Sequence, residues 1–195
     1  MSLLLWLLGA LGTQVLFNFI SKKINYEYSR KMKILAIGLN VAIWWMYFVN
    51  YGLSIDIVIM AVVTSILLSI IFIDLKYYEI PNEYNLALYL LGIFFIVNNL
   101  THWTTLLIGG TVAFILYLVL MILSRGNLGG GDVKLAGALG LFLGFYGFWH
   151  FFAITFLTGA VVSLVLLLLK IKKKNDKIAF GPYICIAFLY VILFA

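Results

Sequence analysis

The sequence has few charged residues and few cysteines for its length. Only 10% of its 195 residues are charged and 65% are hydrophobic, whereas a soluble domain carries about 25% charge. This shortage of charge excludes an ordinary soluble protein. The single cysteine, Cys185, excludes an internal disulfide and a cysteine-cluster zinc site within one chain. We expect Cys185 to be a small core residue rather than a nucleophile.

Strand-like alternation and long polar linkers are absent as well, so no separate soluble domain is expected. Apolar stretches of about 20 residues recur instead, each long enough to cross a bilayer as a helix, and the mean hydropathy is +1.15. The pattern predicts an all-α polytopic membrane protein, with a single membrane-embedded domain over residues 1–195. Residues 1–20 lack a basic n-region and a cleavage site, so we expect a retained first helix rather than a signal peptide.

The apolar segments and the basic residues together predict a topology. About eight transmembrane helices are expected, at residues 3–20, 34–52, 56–73, 85–98, 104–123, 133–146, 147–169 and 178–195. All 13 basic residues fall on alternate connecting loops. The positive-inside rule places those loops in the cytoplasm and both termini outside. The net charge of +6 is therefore interpreted as an insertion signal, and no nucleic-acid partner is expected.

Two acids stand at predicted membrane junctions. Asp74 ends the run "SIIFID", and Asp132 precedes "VKLAGALGLFLG". Acids at membrane depth commonly mark functional sites, because an unpaired buried charge is unfavourable. Each acid also has a structural alternative, since Asp132 can be a helix N-cap and Asp74 a solvated acid at headgroup level. Both alternatives stay open at this point.

The residues that flank each acid break the helical pattern. Pro81 cannot continue a helix and favours an extended Ile80, so the chain is expected to turn and to begin its fourth helix near Asn82. Before Asp132, the glycines at 129 and 131 are expected to allow backbone conformations closed to other residues and to let another chain approach closely.

Small residues continue beyond Asp132. Gly137, Gly140 and Gly144 are spaced along one predicted helix, and a face of small residues lets membrane helices pack closely. We therefore expect the helix that follows Asp132 to lie close against a neighbour.

Two carboxylic acids on the same membrane side suggest a catalytic dyad. A close pair cannot ionise fully, and it shares a proton and titrates as a unit. The ionised acid can remove a proton from water, while the protonated acid can donate to a scissile carbonyl oxygen. This chemistry requires neither a metal nor a nucleophilic side chain, and we predict no cofactor and no metal.

Gly129-x-Gly131-Asp132, followed by a helix of small residues, resembles the G-x-G-D signature of the type IV prepilin peptidases. These belong with the membrane-embedded aspartyl proteases. Asp74 with Ile80-Pro81-Asn82 looks like that family's first aspartate motif. "FGPYI" at 180–184 resembles its Gly-Pro segment at the start of the last helix, and residues 9–23 are similar to its opening helix.

The resemblance implies a set of site residues. Asp74 and Asp132 would be the catalytic pair. The residues that would contact the substrate or position it are Gly129, Gly131, Lys134, Ile80, Pro81, Gly181 and Pro182. For Lys134, a solvated lysine that extends toward the headgroups is the simpler alternative.

By the same resemblance, the chain would be an aspartyl endopeptidase of the inner (cytoplasmic) membrane. Its substrate would be a prepilin or pseudopilin, whose short basic leader is removed on the cytoplasmic side. Bifunctional bacterial members carry a cysteine-containing zinc insert after the first helix and also methylate the new N-terminus. That insert is missing here, so N-methyltransferase activity is predicted to be absent.

Two functions of other classes stay open. Paired intramembrane acids also bind cations or relay protons in carriers, although a carrier needs acids on both faces and only Asp56 is predicted on the outer side. A non-catalytic scaffold of a pilus or secretion machinery is the other alternative. The sequence does not define an oligomeric state.

Overall fold

The computed structural model describes residues 2–124, 128–171 and 178–194. Every regular element in those ranges is helical. The α-helices are α1 (Ser2–Lys23), α2 (Arg30–Tyr51), α3 (Ile55–Tyr77), α4 (Asn82–Asn98), α5 (Trp103–Leu123), α6 (Gly130–Leu168) and α7 (Gly181–Phe194), with a short 3₁₀ helix at Leu100–His102. The all-α prediction is confirmed. Arg125 and the lysines between 172 and 177, on which the predicted topology partly rests, lie outside the described residues.

Within the described ranges, five helical segments are long and apolar enough to cross a membrane. They are α1, α2, α3, α6 and Leu100–Leu123, which includes α5. Many of their large apolar side chains are exposed, as expected for surfaces that face lipid. The protein is therefore a multi-pass membrane protein. Helix α4 has 17 residues and α7 has 14, so the predicted count of about eight crossings and the outward termini stay predictions.

Helix α6 is interrupted at Gly144. Its 39 residues would extend about 58 Å as a straight helix, whereas the hydrocarbon layer is about 30 Å thick. Gly144 has φ 64° and ψ −176°, a conformation that is essentially restricted to glycine. This break lies close to the predicted boundary between the sixth and seventh apolar segments, at 146 and 147.

Close contacts divide the chain into two compact units, Met1–Tyr77 and Tyr78–Ala195. The prediction of a single domain stays a prediction.

In the first unit, buried polar side chains join α1, α2 and α3. Asn40 Nδ2 donates to the Ala10 carbonyl oxygen at 2.9 Å, and Asn40 Oδ1 accepts from Ser65 Oγ at 3.1 Å. One side chain thus connects three helices. Such bonds help membrane helices to associate, because lipid provides no hydrophobic driving force between helices.

The loop between α1 and α2 is fixed on the end of α3. Tyr77 Oη donates to the Glu27 carbonyl oxygen at 2.6 Å, and the Tyr28 ring stacks on Phe72 with a centroid separation of 5.8 Å. The Lys33 ammonium, 2.7 Å from the Glu27 carboxylate, holds the Glu27 pKa below its usual value. The loop therefore rests against the helix that contains Asp74.

In the second unit, α5 and α6 approach each other through glycines. A Cβ atom on Gly109 would lie 2.3 Å from the Gly144 carbonyl carbon, and one on Gly140 would lie 2.6 Å from the Gly109 carbonyl oxygen. No side chain fits in these places, because the obstacle is backbone. The expected close packing of the helix that follows Asp132 is confirmed, and its partner is the glycine pair at 109 and 110 of α5.

Candidate active site

Asp74 lies inside α3, one turn before that helix ends at Tyr77. The side chain is only 4% exposed. The helix continues past the predicted end at residue 73 because "IDLKYY" contains no helix-breaking residue. Pro81 is the first residue after Asp74 that is unfavourable in a helix interior. The alternative that Asp74 is a solvated headgroup-level acid is therefore wrong.

Asp132 lies in the first turn of α6 and is 8% exposed. Its Oδ2 accepts the backbone N–H of Gly129, the N-cap residue, at 3.1 Å. A third-position carboxylate that reaches back to the N-cap is half of a capping box. The alternative that Asp132 is itself the N-cap is wrong, because the helix begins at Gly130. The first turn is also a position where the helix dipole stabilises negative charge.

The two glycines of the G-x-G-D segment have different roles. Gly129 has φ −75° and ψ 148°, which any residue can adopt, and Gly131 is not in the left-handed region either. The expectation of glycine-only conformations at these positions is wrong. At Gly131 a segment of the same chain approaches closely, since an added Cβ would lie 3.1 Å from Ile80 Cβ; the approach of another chain stays a prediction.

The segment after Asp74 turns as predicted and meets the start of α6. Pro81 is the N-cap of α4, with φ −60° and ψ 135°, and the helix begins at Asn82. Lys134 is exposed, and its Nζ donates to Asn82 Oδ1 at 2.8 Å. Within the second unit, the structure thus brings Ile80, Asn82, Gly131 and Lys134 together.

Gly181 and Pro182 are buried and open α7, as the sequence predicts for the start of the last helix. The neighbouring Phe180 packs on α6, where a Cβ on Gly159 would lie 3.2 Å from Phe180 Cε2. A contact of Gly181 or Pro182 with the substrate stays a prediction.

Sequence reasoning missed Asn85. This residue is 2% exposed, and its Nδ2 lies 3.5 Å from the Gly131 carbonyl oxygen. A signal was available, because Asn82, Asn85, Leu86 and Tyr89 have the spacing of one helix face, and a polar side chain within an apolar helix usually faces protein.

Burial separates two acids from the others. Among the acids in the described part of the chain, Asp74 and Asp132 are buried, whereas Glu27, Asp56, Glu79 and Glu83 are at least partly exposed. The described ranges contain no group of three or more His, Cys, Asp or Glu residues that could hold a metal ion.

The fold and these residues define a polytopic helical membrane protein with two buried carboxylic acids. The model of the Type IV leader peptidase family matches residues 61–164, a range that contains both acids. The chain belongs to this family.

The chain is also similar to curated proteins named prepilin leader peptidase/N-methyltransferase. It is 30% identical to one from Legionella pneumophila over 71% of this chain and 50% of that protein. It is 26% identical to one from Bacillus subtilis (strain 168), over 73% of this chain and 59% of that protein. The chain thus spans about half the length of the curated relatives it matches. No solved structure matches the chain significantly.

Proposed function

We propose that this chain is a membrane aspartyl endopeptidase that removes the short basic leader of prepilin-like or pseudopilin substrates. Asp74 and Asp132 would be its catalytic pair. The observation that carries the proposal is that these two are the buried acids among the described residues. Membership of the Type IV leader peptidase family supports it.

The proposed reaction follows from the chemistry of a coupled acid pair. One carboxylate takes a proton from water, and the resulting oxygen nucleophile attacks the scissile carbonyl carbon. The protonated partner donates to the carbonyl oxygen. When the tetrahedral intermediate collapses, the C–N bond breaks and the leaving amine takes a proton from the pair. Separate labels of acid and base have little meaning while one proton is shared.

The remaining site residues would position the peptide. In this proposal, Gly129 and Gly131 place Asp132 and leave room for an extended substrate, beside Ile80, Pro81 and Lys134. Gly181 and Pro182 would line the same region from α7. No cofactor and no metal would take part.

The alternating basic loops favour cleavage at the cytoplasmic face of the inner membrane. The loop between α1 and α2 comprises residues 24–29 and contains no cysteine. The relatives are named for two activities, but a loop this short leaves no space for a separate metal-binding insert. We therefore propose that N-methyltransferase activity is absent.

Coexpression with a prepilin, followed by mass measurement of the product, tests the proposal. The wild-type chain should remove the leader without adding a methyl group. Asp74→Asn and Asp132→Asn should each reduce cleavage by about 10²- to 10⁴-fold, which is the usual contribution of a positioned acid–base group. Asp56→Asn is the matched control, because Asp56 is a partly exposed acid in the first turn of α3.

Membrane insertion of each variant is checked by its fractionation and its melting curve. Full processing by a well-inserted Asp74→Asn or Asp132→Asn chain would refute the dyad. A methylated product from the purified chain would refute the proposed absence of methyltransferase activity.

A further inference from the structure

In the Asn85 carboxamide, the nitrogen has a hydrogen-bond acceptor but the oxygen has no donor among the described residues. Its Nδ2 faces the Gly131 carbonyl oxygen at 3.5 Å, the long end of the hydrogen-bonding range. Its Oδ1 is buried and has no hydrogen-bond partner among the described residues. The orientation of the amide is determined, because a carbonyl oxygen only accepts and the nitrogen must therefore be the atom that faces Gly131.

A buried acceptor without a partner is destabilising by about 1–3 kcal/mol. Unsatisfied groups of this kind are rare in folded proteins, and each requires an explanation such as a catalytic or binding role. The helix does not require a polar residue at position 85, since Leu88, one turn further along α4, is apolar. An apolar residue at position 85 would remove the unpaired oxygen.

Asn85 lines a cavity between the first turns of α4 and the start of α6. The cavity has a volume of about 500 Å³ and is lined by Asn82, Glu83, Asn85, Leu86, Tyr89 and Lys134. This size lies within the range of ligand sites. Asn85 is bonded to Gly131, the residue directly before Asp132, so the cavity adjoins the backbone that carries the proposed catalytic acid.

We propose that this cavity receives the substrate peptide and that Asn85 Oδ1 accepts a hydrogen bond from one of its main-chain N–H groups. The inference rests on the proposed function. A prepilin-like substrate continues from its cleavage site into a membrane helix, and the first four N–H groups of any helix have no intrahelical acceptor. In or near lipid those donors need a protein acceptor, which Asn85 provides.

The unpaired group requires a hydrogen-bond donor in this cavity. The phosphate and ester oxygens of lipids are acceptors and do not satisfy Asn85 Oδ1, so a lipid would satisfy it only through an ammonium or hydroxyl of its headgroup. A main-chain amide supplies the missing donor. Asn85 is therefore a substrate-binding residue.

The first test measures steady-state cleavage of a synthetic prepilin peptide by the full chain in lipid nanodiscs. Asn85→Leu should raise KM about tenfold with little change in kcat, which is the pattern for a lost binding contact. Its melting temperature should stay the same or rise, because an unsatisfied buried oxygen is removed. A purely structural asparagine would lower the melting temperature instead.

Asn98→Leu is the matched control on the same helix. Asn98 is exposed at the other end of α4, and its Nδ2 donates to the Phe94 carbonyl oxygen. This variant should leave KM unchanged.

The second test replaces single peptide bonds of the substrate by esters, at every position except the scissile bond. An ester removes the N–H donor and also weakens the neighbouring carbonyl oxygen as an acceptor, so the comparison with Asn85→Leu isolates the effect of the lost donor. With the wild-type chain, an ester at one substrate position should lower kcat/KM about tenfold. With Asn85→Leu, the same ester should cause no further decrease in kcat/KM. The two changes would then be coupled rather than additive.

Equal ester effects in wild type and Asn85→Leu, or an unchanged KM in Asn85→Leu, would overturn the inference and leave the proposed function intact. A wild-type chain that cleaves no prepilin peptide would remove the proposed function, and this inference with it.

Discussion

Gly131 lies against Ile80, so closely that a Cβ on the glycine would come within 3.1 Å of Ile80 Cβ. The two residues are far apart in the sequence, and each belongs to a segment that also contains a predicted catalytic acid. Their contact lies within the second unit and joins the turn before α4 to the start of α6. The start of α6, which carries Asp132, therefore packs tightly against the turn before α4, and a side chain at position 131 would require Ile80 to shift.

This contact predicts different effects for neighbouring glycines. Gly131→Ala should lower kcat/KM by about tenfold, because Ile80 or the start of α6 must shift, and small misplacements at a site can reduce rates by up to about 10²-fold. Gly130→Ala is the control, since no atom lies within 4 Å of a Cβ at that position. Kinetics on the same prepilin peptide compare the two. Equal activities would show that the Ile80 contact does not position the site.

The packing of α5 on α6 predicts a loss of stability. Gly109→Val should lower the free energy of unfolding by about 1–3 kcal/mol, as overpacking does, because the added atoms would meet the backbone of Gly144. Thermal melting in detergent measures the change. Gly38→Val has open space at its Cβ, and it should melt as the wild type does. A Gly109→Val chain of unchanged stability would contradict the close packing.

The polar connection in the first unit predicts a smaller loss. Asn40→Leu removes the bonds to Ala10 and Ser65, and hydrogen bonds between membrane helices contribute about 0.6 kcal/mol each. We expect a loss of about 1 kcal/mol, measured by melting in the same detergent. If the variant melts at a higher temperature than the wild type, these bonds do not hold the three helices together.

A site of carboxylic acids predicts insensitivity to reagents that stop other proteases. Cleavage should continue in the presence of a metal chelator and after treatment with a thiol-alkylating reagent. The only thiol, Cys185, is buried, and a dyad requires no metal. Product mass after each treatment is the measurement. Inhibition by the chelator that added zinc reverses would indicate a different mechanism.

Much of the fold follows from single residues of the sequence. The turn before α4 is predictable because proline is unfavourable in a helix interior. The break in α6 lies close to the predicted boundary because the apolar stretch is longer than the hydrocarbon layer is thick. The start of α6 was harder to predict. Aspartate is a favoured N-cap residue, so Asp132 was expected to be able to cap the helix itself. In the structure Gly129 is the N-cap, and the Asp132 carboxylate accepts the Gly129 N–H from three residues further on.

The parts of the site that the sequence did not reveal depend on tertiary contacts. Gly131 is close to Ile80 in the structure, and no local sequence pattern predicts this contact. In the sequence, Asn85 is simply one polar residue in an apolar run. Only the packing of α4 on α6 shows that its Oδ1 is buried without a hydrogen-bond partner among the described residues. The roles of Asp74 and Asp132 as a pair, and the cytoplasmic side of the reaction, stay predictions.

The claim that the two acids act together is tested most directly by crosslinking. In a Cys185→Ala chain, Asp74→Cys with Asp132→Cys should be linked by a short bifunctional thiol reagent in native membranes when an uncleaved prepilin is present, since the Cβ atoms of two hydrogen-bonded carboxyl groups lie farther apart than the roughly 3.8 Å of a direct disulfide. Ile80→Cys with Gly131→Cys is the positive control, because those positions are in contact. If the control pair crosslinks and the 74–132 pair does not, with or without substrate, the dyad is contradicted.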